Sequence, residues 1–67
     1  MNIRIFDKAT ESEITEGIIF FDIKDRENYG RKMIAVVNHA GIPMNVGILN
    51  QDGSTEAQPG FEIEVTK

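Results

Sequence analysis

One short pattern, Asn-x-x-Gly, occurs twice in the middle of the chain and constrains the fold more than any other feature. It is found as NHAG at 38–41 and as NQDG at 50–53. A three-residue hairpin loop places a left-handed residue, for which glycine is favoured, after a type I turn. Asparagine favours such loops because its side chain bonds the nearby backbone. Two loops that repeat after 12 residues are typical of a small all-β domain.

Five segments have the alternation, or the β-branched and aromatic content, that is typical of strands. They are 2–6, 17–23, 31–37, 42–49 and 61–65. Segment 7–16 is predicted to be a loop with at most one helical turn at 11–14, and 54–60 to begin a strand that breaks at its Pro-Gly pair. The sequence therefore predicts an all-β fold, with five short antiparallel strands in a meander or small barrel and a single domain over 1–67.

The alternative is a helix at about 25–40, which would give an α+β, β-grasp-like ββαββ fold. Asp25 would be its N-cap, and Gly41 followed by Pro43 resembles a helix stop. We favour the strand, because the helix would contain Gly30 at a cost of about 1 kcal/mol relative to alanine. It would also contain three β-branched residues that suit strands better: Ile34, Val36 and Val37.

The two central predicted strands are apolar on both faces, as the stretches IIFF and MIAVV illustrate. A small barrel buries only one face of each strand, so Ile19, Phe21 and Ile34 are expected to face water. Exposed apolar patches of this kind usually mark an interface. The predicted contact residues are therefore these three and Tyr29, in a homo-oligomer or against another protein. Closed symmetric dimers are the commonest form of self-association.

The net charge also favours a protein partner over a nucleic acid. The net charge is −4, with 11 acidic and 7 basic residues, so there is no basic surplus to bind a phosphate backbone. Four basic residues nevertheless cluster in one loop region and are the candidate contacts for an anion or a single-stranded nucleic acid: Lys24, Arg26, Arg31 and Lys32. The acidic residues are expected on a solvated surface or on a face that docks on a basic partner.

The chain offers little for catalysis or metal binding. It has no cysteine, so disulfides and thiolate metal sites are excluded. His39 is the only histidine, and we expect it at an exposed turn. The stretch NQDGSTE lacks the EF-hand ligand spacing, and no glycine-rich phosphate-binding motif is present. We therefore predict no enzyme activity, no cofactor and no metal.

Together these observations predict a small non-catalytic acidic protein that acts by protein–protein binding, as a regulator, inhibitor or assembly component, through a homo-oligomer. In size and acidity the chain resembles many small phage or mobile-element proteins that bind and inhibit a host factor, an analogy that transfers no residue roles. No membrane span or signal peptide is predicted, and a cytoplasmic location is expected. The alternative is a small-barrel ligand or single-stranded nucleic-acid binding module that uses the basic 24–32 loop.

Overall fold

The computed structural model describes residues 2–27 and 29–66, and this part of the chain contains strands and turns but no helix. The all-β prediction is confirmed. The alternative helix at 25–40 is wrong, because Lys32–Val37 is a strand there. The strands are β1 (Asn2–Asp7), β2 (Ser12–Ile14), β3 (Ile18–Asp22), β4 (Lys32–Val37), β5 (Pro43–Leu49), β6 (Thr55–Ala57) and β7 (Phe61–Thr66).

The strands form two antiparallel sheets, one in the order β2-β1-β7 and the other in the order β3-β4-β5-β6. The described chain therefore has seven strands rather than the predicted five. The five predicted strands are all present. β6 lies within 54–60, where the sequence predicted that a strand begins, and β2 is additional. β2 lies where a loop with at most one helical turn was expected. Its only large apolar side chain, Ile14, lies opposite Ile5 of β1 and packs against the core.

The core lies between the two sheets. Ile5 of one sheet and Ile34 and Val46 of the other have no exposed surface. Partly buried side chains from both sheets pack around this cluster: Ile3, Ile14, Ile18, Val36, Leu49, Phe61 and Ile63. Side chains alternate between the faces of a strand, so the neighbours of these residues point away from the core and form two outer faces.

Both Asn-x-x-Gly segments are hairpin loops. In NHAG, the Asn38 amide donates to the Ile42 carbonyl (3.1 Å), the Gly41 amide donates to the Asn38 carbonyl (3.0 Å), and Gly41 has a φ of 79°. In NQDG, the corresponding bonds join Asn50 to Ser54 and Gly53 to Asn50, and Gly53 has a φ of 91°. The predicted loop type, in which glycine takes the left-handed conformation, is therefore confirmed for both.

A β-bulge in β5 determines which side chains of that strand enter the core. Ile34 pairs with Gly47 and Ala35 pairs with Asn45, so Val46 is the extra residue. Beyond the bulge, Leu49 packs against the core while Ile48 points away from it. Without the bulge, alternation would place Ile48 on the same face as Val46. The extra residue of the bulge exchanges the two faces for the residues that follow it.

Candidate protein-binding surface

The outer face of the four-stranded sheet carries a row of apolar side chains. Phe21 lies opposite Met33 on β4, and Met33 lies opposite Ile48 on β5. Ile19 precedes them on the same face of β3. We call Ile19, Phe21, Met33 and Ile48 the apolar face. Phe21 is 44% exposed and the other three are half-buried, so the side chains shield one another only in part.

The structure places the four predicted interface residues in three different environments. Ile19 and Phe21 lie together on the apolar face. Tyr29 lies in the loop between β3 and β4 and is 79% exposed. The prediction that Ile34 faces water is wrong, because it is fully buried in the core. The register explains this result, since Ile34 lies opposite Phe20, not Phe21, and points to the inner side of the sheet.

Two members of the apolar face, Met33 and Ile48, were not identified from the sequence as contact residues. Met33 follows from the register of β3 against β4, which pairs it with Phe21. Alternation alone leaves this register open, because sliding a strand by one residue exchanges its two faces. Ile48 joins the face because of the bulge at Val46, for which the sequence offers only the weak signal of a glycine at position 47.

The outer face of the three-stranded sheet is polar and contrasts with the apolar face. Arg4 lies at its centre, with its guanidinium 2.8 Å from Glu13 and 3.9 Å from Glu64. The same guanidinium lies over the Phe6 ring, 5.1 Å from its centroid. The hydrogen bond and charge of Arg4 lower the pKa of Glu13, and Glu13 raises the pKa of Arg4. With Glu62, the described residues of this face include three carboxylates around one cation, and we call it the acidic face.

The basic cluster lies at the end of the sheet where the β3–β4 loop leaves and returns. Lys32 pairs with Asp22 at 3.6 Å. Lys24, Arg31 and Lys32 line a shallow groove together with the exposed Tyr29 ring. The fourth member, Arg26, is exposed in the same loop and does not line this groove. Three of the four predicted anion-contact residues are therefore brought together.

The two Asn-x-x-Gly loops contain the aspartate and the histidine that could have been candidates for a metal site. In NQDG, Asp52 accepts from the backbone amide of Ser54 (2.9 Å) and from its hydroxyl (2.6 Å), and these bonds lower the pKa of Asp52. His39 is exposed at the tip of the other loop, as its position predicts. Over 2–27 and 29–66, His, Asp and Glu side chains do not gather in groups of three that could hold a metal ion.

The free edge of β3 adjoins the apolar face. β3 is the first strand of its sheet, so among residues 2–27 and 29–66 only one of its sides is paired. The Val37 amide donates to the Gly17 carbonyl and the Ile23 amide donates to the Arg31 carbonyl. Successive residues of an antiparallel strand direct their backbone groups alternately to its two sides. Because Gly17 and Ile23 bond on the β4 side, the even-numbered residues of β3 direct their backbone N–H and C=O groups to the unpaired side: Ile18, Phe20 and Asp22. An unpaired row of this kind is a template for another strand.

Comparison with known proteins finds no matching family model, no matching curated protein and no matching solved structure. The described residues also include no helix long and apolar enough to cross a membrane.

Proposed function

We propose that the protein is non-catalytic and acts by binding other proteins, beginning with copies of itself, as an assembly component or as a regulator or inhibitor. The supporting observation is the row of Phe21, Met33 and Ile48 on the outside of the four-stranded sheet. A chain of 67 residues buries a comparatively small fraction of its surface in a core, so its stability is marginal. When a partner covers apolar side chains that point away from that core, their removal from water stabilises the complex.

The contrast between the two outer faces indicates which of them a partner would cover. Arg4 and three carboxylates occupy the acidic face, which water solvates well. In the described part of the chain, the apolar face carries no charged side chain between Ile19 and Ile48. Association through the apolar face leaves the acidic face outward, where it can keep an assembly soluble or dock on a basic partner. A cytoplasmic location is part of the same proposal.

The test is the solution mass, measured by light scattering on a sizing column at a dilute and a concentrated loading. The wild type is expected at a multiple of 7.5 kDa. Phe21→Glu places a charge on the apolar face, on its edge strand β3, and is expected to give a folded monomer. Ile42→Glu is the matched control, because Ile42 is 60% exposed and lies in the NHAG hairpin, outside this face. It is expected to keep the wild-type mass.

Two results would contradict the proposal. A wild type that stays at 7.5 kDa at both loadings rules out self-association. Equal loss of mass in Phe21→Glu and Ile42→Glu shows that added charge, rather than the apolar face, is responsible. Circular dichroism of each variant separates dissociation from unfolding.

The second candidate function is binding of an anionic ligand or a single-stranded nucleic acid, and the exposed ring of Tyr29 beside Lys24 and Lys32 favours it. Single-strand binding combines a stacking aromatic with nearby cations. Anisotropy of a labelled oligonucleotide is expected to rise at low salt and fall as salt is added. Tyr29→Ala and Lys24→Gln should weaken this signal, whereas Lys8→Gln, remote in sequence, should not. No binding at low salt excludes this candidate.

A further inference from the structure

We propose that the self-association occurs edge to edge, with β3 of one copy pairing antiparallel with β3 of a second copy about a two-fold axis beside Phe20, so that the two four-stranded sheets become one continuous sheet. This inference rests on the proposed self-association and gives its first contact as the β3 edge. The apolar face stays uncovered in the edge-paired dimer and remains available to a further partner. Its starting point is the unpaired backbone of Ile18, Phe20 and Asp22 at the free edge. In an antiparallel pair, residues with outward-facing backbone groups exchange both N–H···O bonds.

The charges at the two ends of β3 have opposite sign. Glu16 precedes the strand and Lys24 follows it, and both are exposed. Neither forms an ion pair within 2–27 and 29–66. Antiparallel pairing brings the start of one strand beside the end of the other. Glu16 of each copy therefore lies near Lys24 of the second copy, just beyond each end of the shared ladder of Ile18–Asp22. This charge complementarity favours a second copy of the chain as the occupant of the edge.

The side chains between these charges also match. With the axis beside Phe20, the Phe20 residues of the two copies lie opposite each other. Ile19 of one copy lies opposite Phe21 of the second, on the outer side of the joined sheet. The two apolar faces therefore become continuous across the junction. Phe20 and Phe21 are 45% and 44% exposed in the single chain, and pairs of aromatic and β-branched residues across strands stabilise a sheet.

Alternative registers are less favourable. Only every second residue presents its backbone outward, so the strands slide in steps of two residues. One such step places Asp22 opposite Glu16 of the second copy, a like-charge pair. A step in the other direction places Phe20 opposite Asp22 and separates Glu16 from Lys24. The register centred on Phe20 leaves Asp22 opposite Ile18, where Asp22 keeps its pair with Lys32 in its own chain.

Cysteine cross-linking tests the register, because the natural chain has no cysteine. Phe20→Cys places two thiols across the axis, with Cα atoms about 5.5 Å apart, which a disulfide can span. Asp22→Cys is the matched control on the same exposed edge. Its two cysteines would lie four residues apart along the strands, about 13 Å, too far to join. Under mild oxidation Phe20→Cys is expected to give a covalent dimer, and Asp22→Cys is expected to stay monomeric on a non-reducing gel.

Charge exchange tests the end contacts independently. Glu16→Lys and Lys24→Glu should each weaken the dimer by about 3- to 30-fold in Kd, since each removes two exposed ion pairs and introduces repulsion. The double exchange should restore the wild-type Kd. If the single variants weakened the dimer by unfolding, the second charge change would not restore it.

The outcomes separate the two proposals. A wild-type oligomer that cross-links equally through Phe20→Cys and Asp22→Cys, or that is insensitive to the single charge changes, overturns edge pairing. In that case association through the apolar face still stands. A wild type that is monomeric at every loading overturns the proposed self-association, and the edge pairing with it.

Discussion

Ile34 and Phe20 lie directly opposite each other across β4 and β3, yet Ile34 is fully buried and Phe20 is 45% exposed. Both point to the inner side of the four-stranded sheet. Ile34 contacts Ile5 and Val46 in the core cluster, whereas Phe20 lies on the edge strand and is not part of that cluster. The three-stranded sheet therefore covers the middle of its partner and leaves the β3 edge accessible.

This difference predicts that two truncations lower the free energy of unfolding by different amounts. Ile34→Ala should lower the free energy of unfolding by about 2–5 kcal/mol, because it leaves a cavity among buried side chains. Phe20→Ala should lower it by about 1 kcal/mol, since 45% of the residue is already in water. Urea unfolding at high dilution measures both for the separated chain. Similar losses for the two variants would show that Phe20 belongs to the core.

The two hairpin loops share a sequence pattern but differ in what their asparagine does. Asn38 Oδ1 accepts from the amides of Ala40 (2.9 Å) and Ile42 (3.0 Å). Asn50 Nδ2 donates to the Ser54 hydroxyl (3.0 Å), and its Oδ1 is buried without a partner among the described residues. Asp52 bonds the Ser54 amide instead. The side chain that supports the turn is therefore Asn38 in one loop and Asp52 in the other.

We therefore expect Asn38→Ala to lower the free energy of unfolding by about 1–2 kcal/mol, the contribution of two backbone hydrogen bonds. Asn50→Ala should cost less, because it removes one hydrogen bond together with an unsatisfied acceptor. The shift in the urea midpoint, at constant slope, measures each effect. Equal shifts would mean that the two asparagines support their loops in the same way.

These loops also show what the sequence could predict. The Asn-x-x-Gly repeat predicted both hairpins, and with them strands β4 and β5, because the requirement for a left-handed glycine is local. Ile34 shows the limit. Its face depends on the register of β4 against β3, and a hydrophobic pattern that is apolar on both sides does not determine register. β2 was missed because Ser12 and Glu13 are polar, and only its pairing with β1 makes the segment a strand.

Gly47 marks a close approach that the sequence only hints at. A Cβ built at this position would meet Cδ1 of Ile63 and would lie 2.7 Å from the Glu56 carbonyl oxygen. Gly47→Ala is therefore expected to lower the free energy of unfolding by about 1–3 kcal/mol through overpacking. Ile63→Val removes the Cδ1 atom, so the double variant should lose less than the sum of the two single variants. Additive losses in urea unfolding would show that the side chain of Ile63 is not the obstacle.

The ion pair of Arg4 and Glu13 predicts a pH dependence of stability. Arg4 lowers the pKa of Glu13 in the folded chain below the ordinary glutamate value of 4.5. A lowered folded-state pKa contributes stability that is fully present above the unfolded value and is lost as the pH falls through the folded one. Glu13→Gln cannot lose this contribution. Its stability should therefore lie below that of the wild type at neutral pH and converge with it in acid.

Glu62→Gln is the matched control, because it makes the same charge change on the acidic face and Glu62 forms no ion pair within the described residues. Urea unfolding at a series of pH values from neutral to strongly acidic measures all three proteins. The difference between wild type and Glu13→Gln should shrink below the ordinary glutamate pKa, while Glu62→Gln should show no comparable convergence. Because the pair is exposed, added salt should reduce the difference at neutral pH. A gap that is independent of both pH and salt would mean that Glu13 stabilises the sheet by packing rather than by charge.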